Sequence, residues 1–290
     1  IDLIRETNPK RWRAGYTGPA FDTGELVQTT LKYTDTVTIP ALVFNLRRSP
    51  ANNIAVRKAL QLMYDVDWVL ETQGNVAQAA LSFYGDTRLA AQELPSAIEI
   101  DLLSSHEDSL PDGIFTKAAP DLVVVNSSLR DRRRRAIDML EREGFFIRDG
   151  HMIDPDTDAP LRLELVTSDA ILLQDLAPFQ TWLRSIGITL DFSVLDATAL
   201  REVFQNGQDF DITTVRWHAF DPPGRNEDFF LHSRHASTGF GVTGLESPVA
   251  DALIETMLQS RDEDQIIAAA RAFDRYLRWN VYVLPIWQQD

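Results

Sequence analysis

The chain has 290 residues, of which 44% are hydrophobic and 24% are charged, and this composition fits a globular protein of one large domain or two small ones. No stretch approaches the roughly 18 consecutive apolar residues that a membrane helix requires. The net charge of −15 opposes binding to nucleic-acid phosphates, and the absence of Cys excludes disulfides, thiolate metal sites and cysteine nucleophiles.

The two ends of the chain predict a fragment of a longer protein. The sequence opens at Ile1 in a polar stretch, without an initiator Met or a signal peptide, and stops at Asp290 directly after an apolar run. Residues 1–37 have no sustained periodicity, so we expect an extended lead-in.

The first regular elements are a strand and a helix. The run TIPALVFN predicts a buried strand near residues 41–45, and apolar residues at helical spacing predict a helix over about 54–64. Between about 85 and 125, Pro and Gly residues predict loops and short helices.

The next helix begins after Ser127 or Ser128, carries apolar positions to Leu140 and ends before Gly144. The four arginines 132–135 point all around this helix, and acids lie at three- and four-residue spacing. We therefore expect an ion-paired, solvated surface and not a nucleic-acid patch.

The middle of the chain predicts a hairpin followed by one α/β unit. DPDTD over residues 154–158 begins like a calcium loop, but Ala159 and Leu165 stand where Gly and Glu are required, so a plain turn is predicted. A helix over about 172–186 then precedes an alternating strand over 188–194.

The last third predicts the following order of elements: a short helix near 197–206, a strand over 210–217, a long loop over 218–244, a helix starting at Ser247 and Pro248, a helix carrying 267–277, and a strand over 281–287.

Few residues indicate chemistry directly. No phosphate-binding glycine loop and no serine-nucleophile motif is present. Asp209 and Asp211 are read as the solvated side of a strand. A metal site and a plain polar loop both remain open for one set of side chains in the long loop: His218, Asp221, Asp228, His232 and His235.

The run WHAFDPPG over residues 217–224 carries a strand end into a loop with aromatics and a carboxylate. Ligand pockets in α/β proteins lie outside strand ends, and aromatic walls suit peptide-like ligands. Trp217 is therefore predicted to line a pocket, with burial in the core as the alternative.

Several segments resemble one protein family in the same order. FNLRRSPANNIAVRKALQLMYDVDWV, LSFY, LRDRRRRAIDMLEREGF, FDITTVRW, SPVADALIETM and YVLPIW are similar to runs in the extracellular solute-binding proteins of peptide ABC importers, family 5, in particular the YejA-like branch. The resemblance extends from Asn45 to Trp287 and corresponds to the C-terminal lobe of those proteins.

The resemblance implies an α/β fold, a type II periplasmic-binding-protein lobe whose mixed, mainly parallel sheet is flanked by helices. Residues 1–37 would be a hinge-proximal lead-in from the missing N-terminal lobe, 38–287 the ligand-binding lobe and 288–290 a truncated tail. The strands at 38–45 and 281–287 would be adjacent hinge strands.

The resemblance also implies a function without catalysis or cofactor. Two lobes would close on an extended oligopeptide in the bacterial periplasm and deliver it to the transmembrane subunits of an ABC permease. The ligand-binding residues implied are Trp217, His218, Phe220, Asp221, Trp287, Asn45 and Arg47.

The chain departs from the family at two ligand contacts. In oligopeptide-binding relatives an Asp three positions after the Trp pairs with the ligand amine, but here Phe220 takes that position and Asp221 is one residue off. Thr214 replaces an Arg found in some relatives. Two alternatives stay open: a metal-dependent hydrolase using His218, His232 and His235, and a receptor for non-peptide cargo.

Overall fold

The computed structural model describes residues 3, 4, 6, 9–29, 36–73, 77–207 and 209–289. Residues 30–35 of the expected lead-in and Asp290 of the expected tail lie outside these ranges. The described α-helices are α1 (Pro9–Ala14), α2 (Pro19–Asp22), α3 (Ile54–Met63), α4 (Val66–Gln73), α5 (Ala97–Ser104), α6 (Leu129–Arg142), α7 (Ala170–Arg184), α8 (Ala197–Glu202), α9 (Arg225–Leu231), α10 (Pro248–Gln259) and α11 (Glu263–Asn280).

The described strands are β1 (Thr36–Phe44), β2 (Ala77–Gln78), β3 (Phe146–Arg148), β4 (His151–Asp154), β5 (Ala159–Pro160), β6 (Arg162–Thr167), β7 (Thr189–Val194), β8 (Ile212–Phe220), β9 (Val283–Pro285) and β10 (Gln288–Gln289). None of these helices combines the length and the apolar composition needed to cross a membrane.

The main sheet of the described chain has the strand order β7-β6-β8-β1-β9. Strands β7, β6 and β8 run parallel, and β1 is antiparallel to both β8 and β9, so β1 alone points the other way. The predicted mixed, mainly parallel sheet is confirmed. The predicted neighbours near 41–45 and 281–287 also pair, although the second strand is limited to Val283–Pro285.

The sheet is covered on both faces around β1, because alternate residues of that strand enter different cores. On β1, Leu42 and Phe44 pack into a core with α3, α6 and α7. Ile39, Ala41 and Val43 pack into a second core with α10 and α11. The sheet is therefore the middle layer between two layers of helices.

Local caps explain where the predicted helices begin. The Asn53 side chain accepts from the Ala55 N–H at 2.8 Å at the start of α3, and Ser128 accepts from Asp131 N–H at 3.1 Å at the start of α6. Ser247 caps α10, with Pro248 in its first turn. These side chains satisfy backbone donors that have no partner inside the helix.

Several predictions need correction. The lead-in 1–37 is not wholly extended, since it contains α1 and α2, and Asp211 is not solvated, since it is buried and accepts from the Glu164 N–H at 2.8 Å. Arg132 is not part of a solvated surface: it is buried, pairs with the Asp65 carboxylate, and donates to the Tyr64 carbonyl at 3.1 Å. The expected loop over 218–244 begins only after β8, which extends to Phe220, and contains the helix α9.

Helix α11 holds the irregular segment 83–121 through buried polar side chains. The Asp274 carboxylate accepts from the backbone N–H of Phe83 at 2.9 Å and of Ala91 at 3.0 Å. Arg278 binds the same carboxylate and the carbonyls of Ala91, Ala119 and Pro120.

Arg275, also on α11, binds a further part of the same segment. Its guanidinium pairs with the buried Glu99 at 3.2 Å and donates to the Glu93 carbonyl at 2.8 Å. These bonds replace the backbone partners that a strand or helix would supply to this segment.

We expect Asp274→Ala to reduce the free energy of unfolding by about 3–5 kcal/mol, because it leaves the buried Arg278 and two backbone donors without their acceptor. Urea unfolding followed by circular dichroism measures this. The matched control is Asp264→Ala, an exposed acid of the same helix, with an expected loss below about 1 kcal/mol. An equal loss of unfolding free energy in the two variants would contradict the role of Asp274 in holding the segment 83–121.

Candidate functional site

The C-terminal end of β8 presents its side chains to two different environments. Trp217 and Ala219 point into the core that α10 and α11 cover, whereas His218 and Phe220 lie on the opposite face of the sheet. Asp221 follows where the strand ends. This strand end is the part of the chain where most predicted site residues meet.

Trp217 is a core residue in this structure. Its side chain is only 1% exposed, its Nε1–H donates to the Phe83 carbonyl at 3.2 Å, and its ring packs edge-on against Phe83. Burial in the core, the alternative reading of Trp217, describes its position within this lobe, and a ligand contact of Trp217 stays a prediction. The indole holds Phe83, the first residue of the segment 83–121 that α11 binds.

Phe220 and His218 form the accessible part of the strand end. The Phe220 side chain is 45% exposed and stacks on the His218 ring at 6.1 Å between centroids. His218 Nδ1 lies 3.1 Å from Thr38 Oγ1 on the neighbouring strand β1. The stack offers an aromatic surface next to a polar ring.

Asp221 is held by an arginine from the irregular segment. Arg88 Nε and Nη2 donate to the two carboxylate oxygens at 2.9 and 3.1 Å, and Arg88 Nη1 pairs with Glu263. The hydrogen bonds to Asp221 and Glu263 raise the pKa of Arg88. The Asp221 carboxylate thus already has a bidentate cationic partner.

A small cavity of about 120 Å³ opens beside this ion pair. This volume is well below the roughly 300–1,000 Å³ of pockets that enclose a small ligand. The cavity alone is too small for an oligopeptide. Its lining residues are Val37, Tyr84, Thr87, Leu89, Ala219, Phe220 and Asp221.

Tyr84, which lines this cavity, is held in place by a buried acid. Glu227 accepts from the Tyr84 hydroxyl at 2.8 Å and from the Gly224 N–H at 2.7 Å. Burial raises the pKa of Glu227, although these hydrogen bonds oppose the rise. Burial, followed by the charge of Glu227, also raises the pKa of Tyr84.

Asn45 and Arg47 lie together but do not belong to the strand-end group. Arg47 Nη1 donates to Asn45 Oδ1 at 2.9 Å, and the same guanidinium binds the carbonyls of Ala236, Gly241 and Val242. The pair anchors the loop after α9. Their predicted contact with ligand stays a prediction.

Trp287 lies in the core on the other face of the sheet from Trp217. Its side chain is 7% exposed, and its Nε1 is buried without a partner among the described residues. The structure therefore does not bring the two tryptophans to one surface, and a ligand contact of Trp287 also stays a prediction.

The three histidines of the hydrolase alternative have separate partners. His232 Nδ1 lies 3.2 Å from Asp251, His235 Nε2 lies 3.7 Å from Asp228, and His218 faces Thr38. Within the described ranges, no three His, Asp or Glu side chains are close enough to hold one metal ion.

Sequence reasoning missed Arg88 and Tyr84. Both lie in the irregular segment, and Arg88 meets Asp221 across 133 positions of the chain. No local pattern signals such a pair. The conspicuous LSFY run, which belongs to the family resemblance, is the single signal that points to this segment.

Replacing Glu227 tests whether burial raises the pKa of this carboxyl group. Its pKa is raised above the ordinary 4.5, so the folded state binds this proton more tightly than the unfolded chain. The wild type therefore loses stability as the pH rises from about 4.5 towards the folded pKa, by at most about 1.4 kcal/mol per pH unit.

We expect the free energy of unfolding of the wild type, measured relative to Glu227→Gln, to fall between pH 4 and pH 7. Urea unfolding at each pH gives the difference, in which the other carboxylates cancel. A difference that is constant or rises with pH would contradict the raised pKa.

Known proteins resemble this chain in sequence and in fold. Residues 1–238 match the family model described as bacterial extracellular solute-binding proteins, family 5 Middle. The probable peptide-binding protein YejA of Agrobacterium fabrum is 28% identical over 291 residues, covering 98% of this chain. The chain spans about half the length of the curated relatives it matches, 48% and 47% for the first two.

Two solved structures share the fold. The oligopeptide-binding protein AppA of Bacillus subtilis, in complex with a nonapeptide, has a TM-score of 0.66 and 17% identity, covering 93% of this chain and 48% of that one. NikA of Brucella suis, in complex with Fe(III)-EDTA, has a TM-score of 0.67 and 18% identity, covering 97% and 49%. The predicted type II periplasmic-binding fold and the YejA-like resemblance are both confirmed. The chain belongs to the bacterial extracellular solute-binding proteins of family 5.

Proposed function

We propose that this chain is the C-terminal ligand-binding lobe of a two-lobe receptor that captures extended oligopeptides in the periplasm and delivers them to an ABC permease. The observation that carries the proposal is the family match over residues 1–238. A relative of probable peptide-binding function and a fold neighbour bound to a nonapeptide support the choice of cargo.

The pairing of β1 with β9 supports the proposed hinge. Ala41 lies opposite Pro285 and Val43 opposite Val283, so the strands at the two ends of the 38–287 lobe are neighbours. Two adjacent connections between lobes would allow closure by a rotation about a few residues. The proposed boundaries are 1–37 for the lead-in, 38–287 for the lobe and 288–290 for the tail.

The strand-end group supplies the proposed ligand surface. The exposed Phe220 ring can cover an apolar peptide side chain, and His218 beside it can bond a peptide carbonyl or amide. Affinity with little sequence preference would come from pairing with the peptide backbone. The other lobe would supply the opposite wall.

Arg88 changes what Asp221 can offer to a peptide. Because its two oxygens already receive a bidentate guanidinium, the carboxylate is not free to bind an α-amine. This arrangement agrees with the shifted position of Asp221 in the sequence. The proposed lobe therefore binds peptides without a strong requirement for a free amino terminus.

Phe220→Ala tests the ligand surface. In the full-length protein we expect a loss of about 1–2 kcal/mol in peptide affinity, roughly 5- to 30-fold in Kd, measured by isothermal titration calorimetry with a mixture of short peptides and then with the tightest one. The matched control is Phe146→Ala, since Phe146 is 40% exposed in the hairpin strand β3.

An unchanged affinity of Phe220→Ala would remove the strand end from the site. Failure of the full-length protein to bind any peptide, with binding of a sugar or a metal chelate instead, would overturn the proposed cargo.

Arg88→Gln tests whether Arg88 prevents the Asp221 carboxylate from binding a peptide amine. The wild type is expected to bind a peptide and its N-acetylated form within about threefold. The variant frees Asp221 and is expected to favour the free amine by roughly 10- to 150-fold, the range of a single charge-assisted contact. Arg142→Gln, on the exposed end of α6, is the control. Equal preference before and after the Arg88 change would contradict the masking of Asp221.

A further inference from the structure

A second cavity, of about 380 Å³, lies between α3, α6 and the segment 120–125. It shares no lining residue with the cavity at the end of β8. Its volume is within the roughly 300–1,000 Å³ range of small-ligand pockets. The apolar part of its lining includes Leu62, Val123, Val125, Met139, Trp279 and Val281.

Two cations line this cavity without a partner. Lys58 on α3 is half-buried and Arg135 on α6 is exposed, and neither side chain makes a hydrogen bond or an ion pair to another described residue. Burial, with a smaller contribution from Arg57, lowers the pKa of Lys58. A partly desolvated ammonium without a counter-ion is stabilised by an incoming anion.

The remaining charges of the cavity are already committed to each other. Arg278 donates to Asp274 at 3.0 Å and lies 3.4 Å from the Asp121 carboxylate, which is the acid of the lining. The unpaired charge in the cavity is therefore positive, on a chain whose net charge is −15. The arrangement selects for an anion.

We propose that this cavity binds a small amphipathic anion, with an apolar body against the valines and Met139 and a single carboxylate between Lys58 and Arg135. The size of the cavity favours a small molecule over a protein segment, and the two cations exclude a cationic amphiphile. This site is independent of the proposed peptide site.

Calorimetric titration of the full-length protein with decanoate tests the proposal, with decyltrimethylammonium as a probe of equal chain length and opposite charge. We expect saturable one-to-one binding of decanoate and no saturable binding of the cation. The double variant Lys58→Gln/Arg135→Gln should weaken decanoate binding at least tenfold, and each single variant by a smaller factor. Thermal unfolding checks that each variant is folded.

Two control variants distinguish this cavity from the rest of the protein surface. Arg130→Gln, another exposed arginine of α6, should change the decanoate Kd by less than twofold. Phe220→Ala should leave decanoate binding unchanged even if it weakens peptide binding. Absence of saturable decanoate binding, equal binding of the cationic probe, or a loss of decanoate affinity in Phe220→Ala as large as in the double variant would overturn the proposal.

Discussion

Three buried side chains of α11, Asp274, Arg275 and Arg278, organise a segment that has little regular structure of its own. They bind backbone groups of residues 83–121 and two acids of that segment, Glu99 and Asp121. Buried charges are costly unless they are paired and hydrogen-bonded, and each of these has several partners. The helix therefore fixes the course of the segment, and through it the positions of Tyr84 and Arg88 at the end of β8.

The strand-end site depends on this arrangement more than on the sheet alone. β8 supplies Phe220 and His218, but the partner of Asp221 comes from the gripped segment and the buried acid beneath Tyr84 comes from α9. A change in α11 can thus alter the site without touching it. Trp217 also connects β8 to the segment 83–121, since its indole N–H donates to the Phe83 carbonyl.

Much of the fold could be predicted, because capped amphipathic helices and alternating strands depend on neighbouring residues. The helix after Ser128 and the one after Ser247 are of this kind. Helix α9 was missed because RNEDFFL is short and its N-cap, Gly224, has no side chain to signal it. Arg132 was misjudged because four consecutive arginines do not reveal which one faces Asp65. The Arg88–Asp221 pair could not be predicted, because the two residues are distant in sequence and meet only in the folded chain. The resemblance implied that Trp217 lines the ligand pocket, whereas in this lobe its side chain is packed in the core.

Strand β8 alternates between core and surface with a period of two, and this has an evolutionary consequence. The residues at positions 218 and 220 can vary widely, because their side chains lie outside the core into which Trp217 and Ala219 pack. The length of the strand cannot vary in the same way. Inserting or deleting one residue near Trp217 would turn the indole outwards and direct the following polar ring into the core. The fold therefore tolerates substitutions at positions 218 and 220, whereas a change of chain length is better accommodated in the loop after Asp221 than within β8.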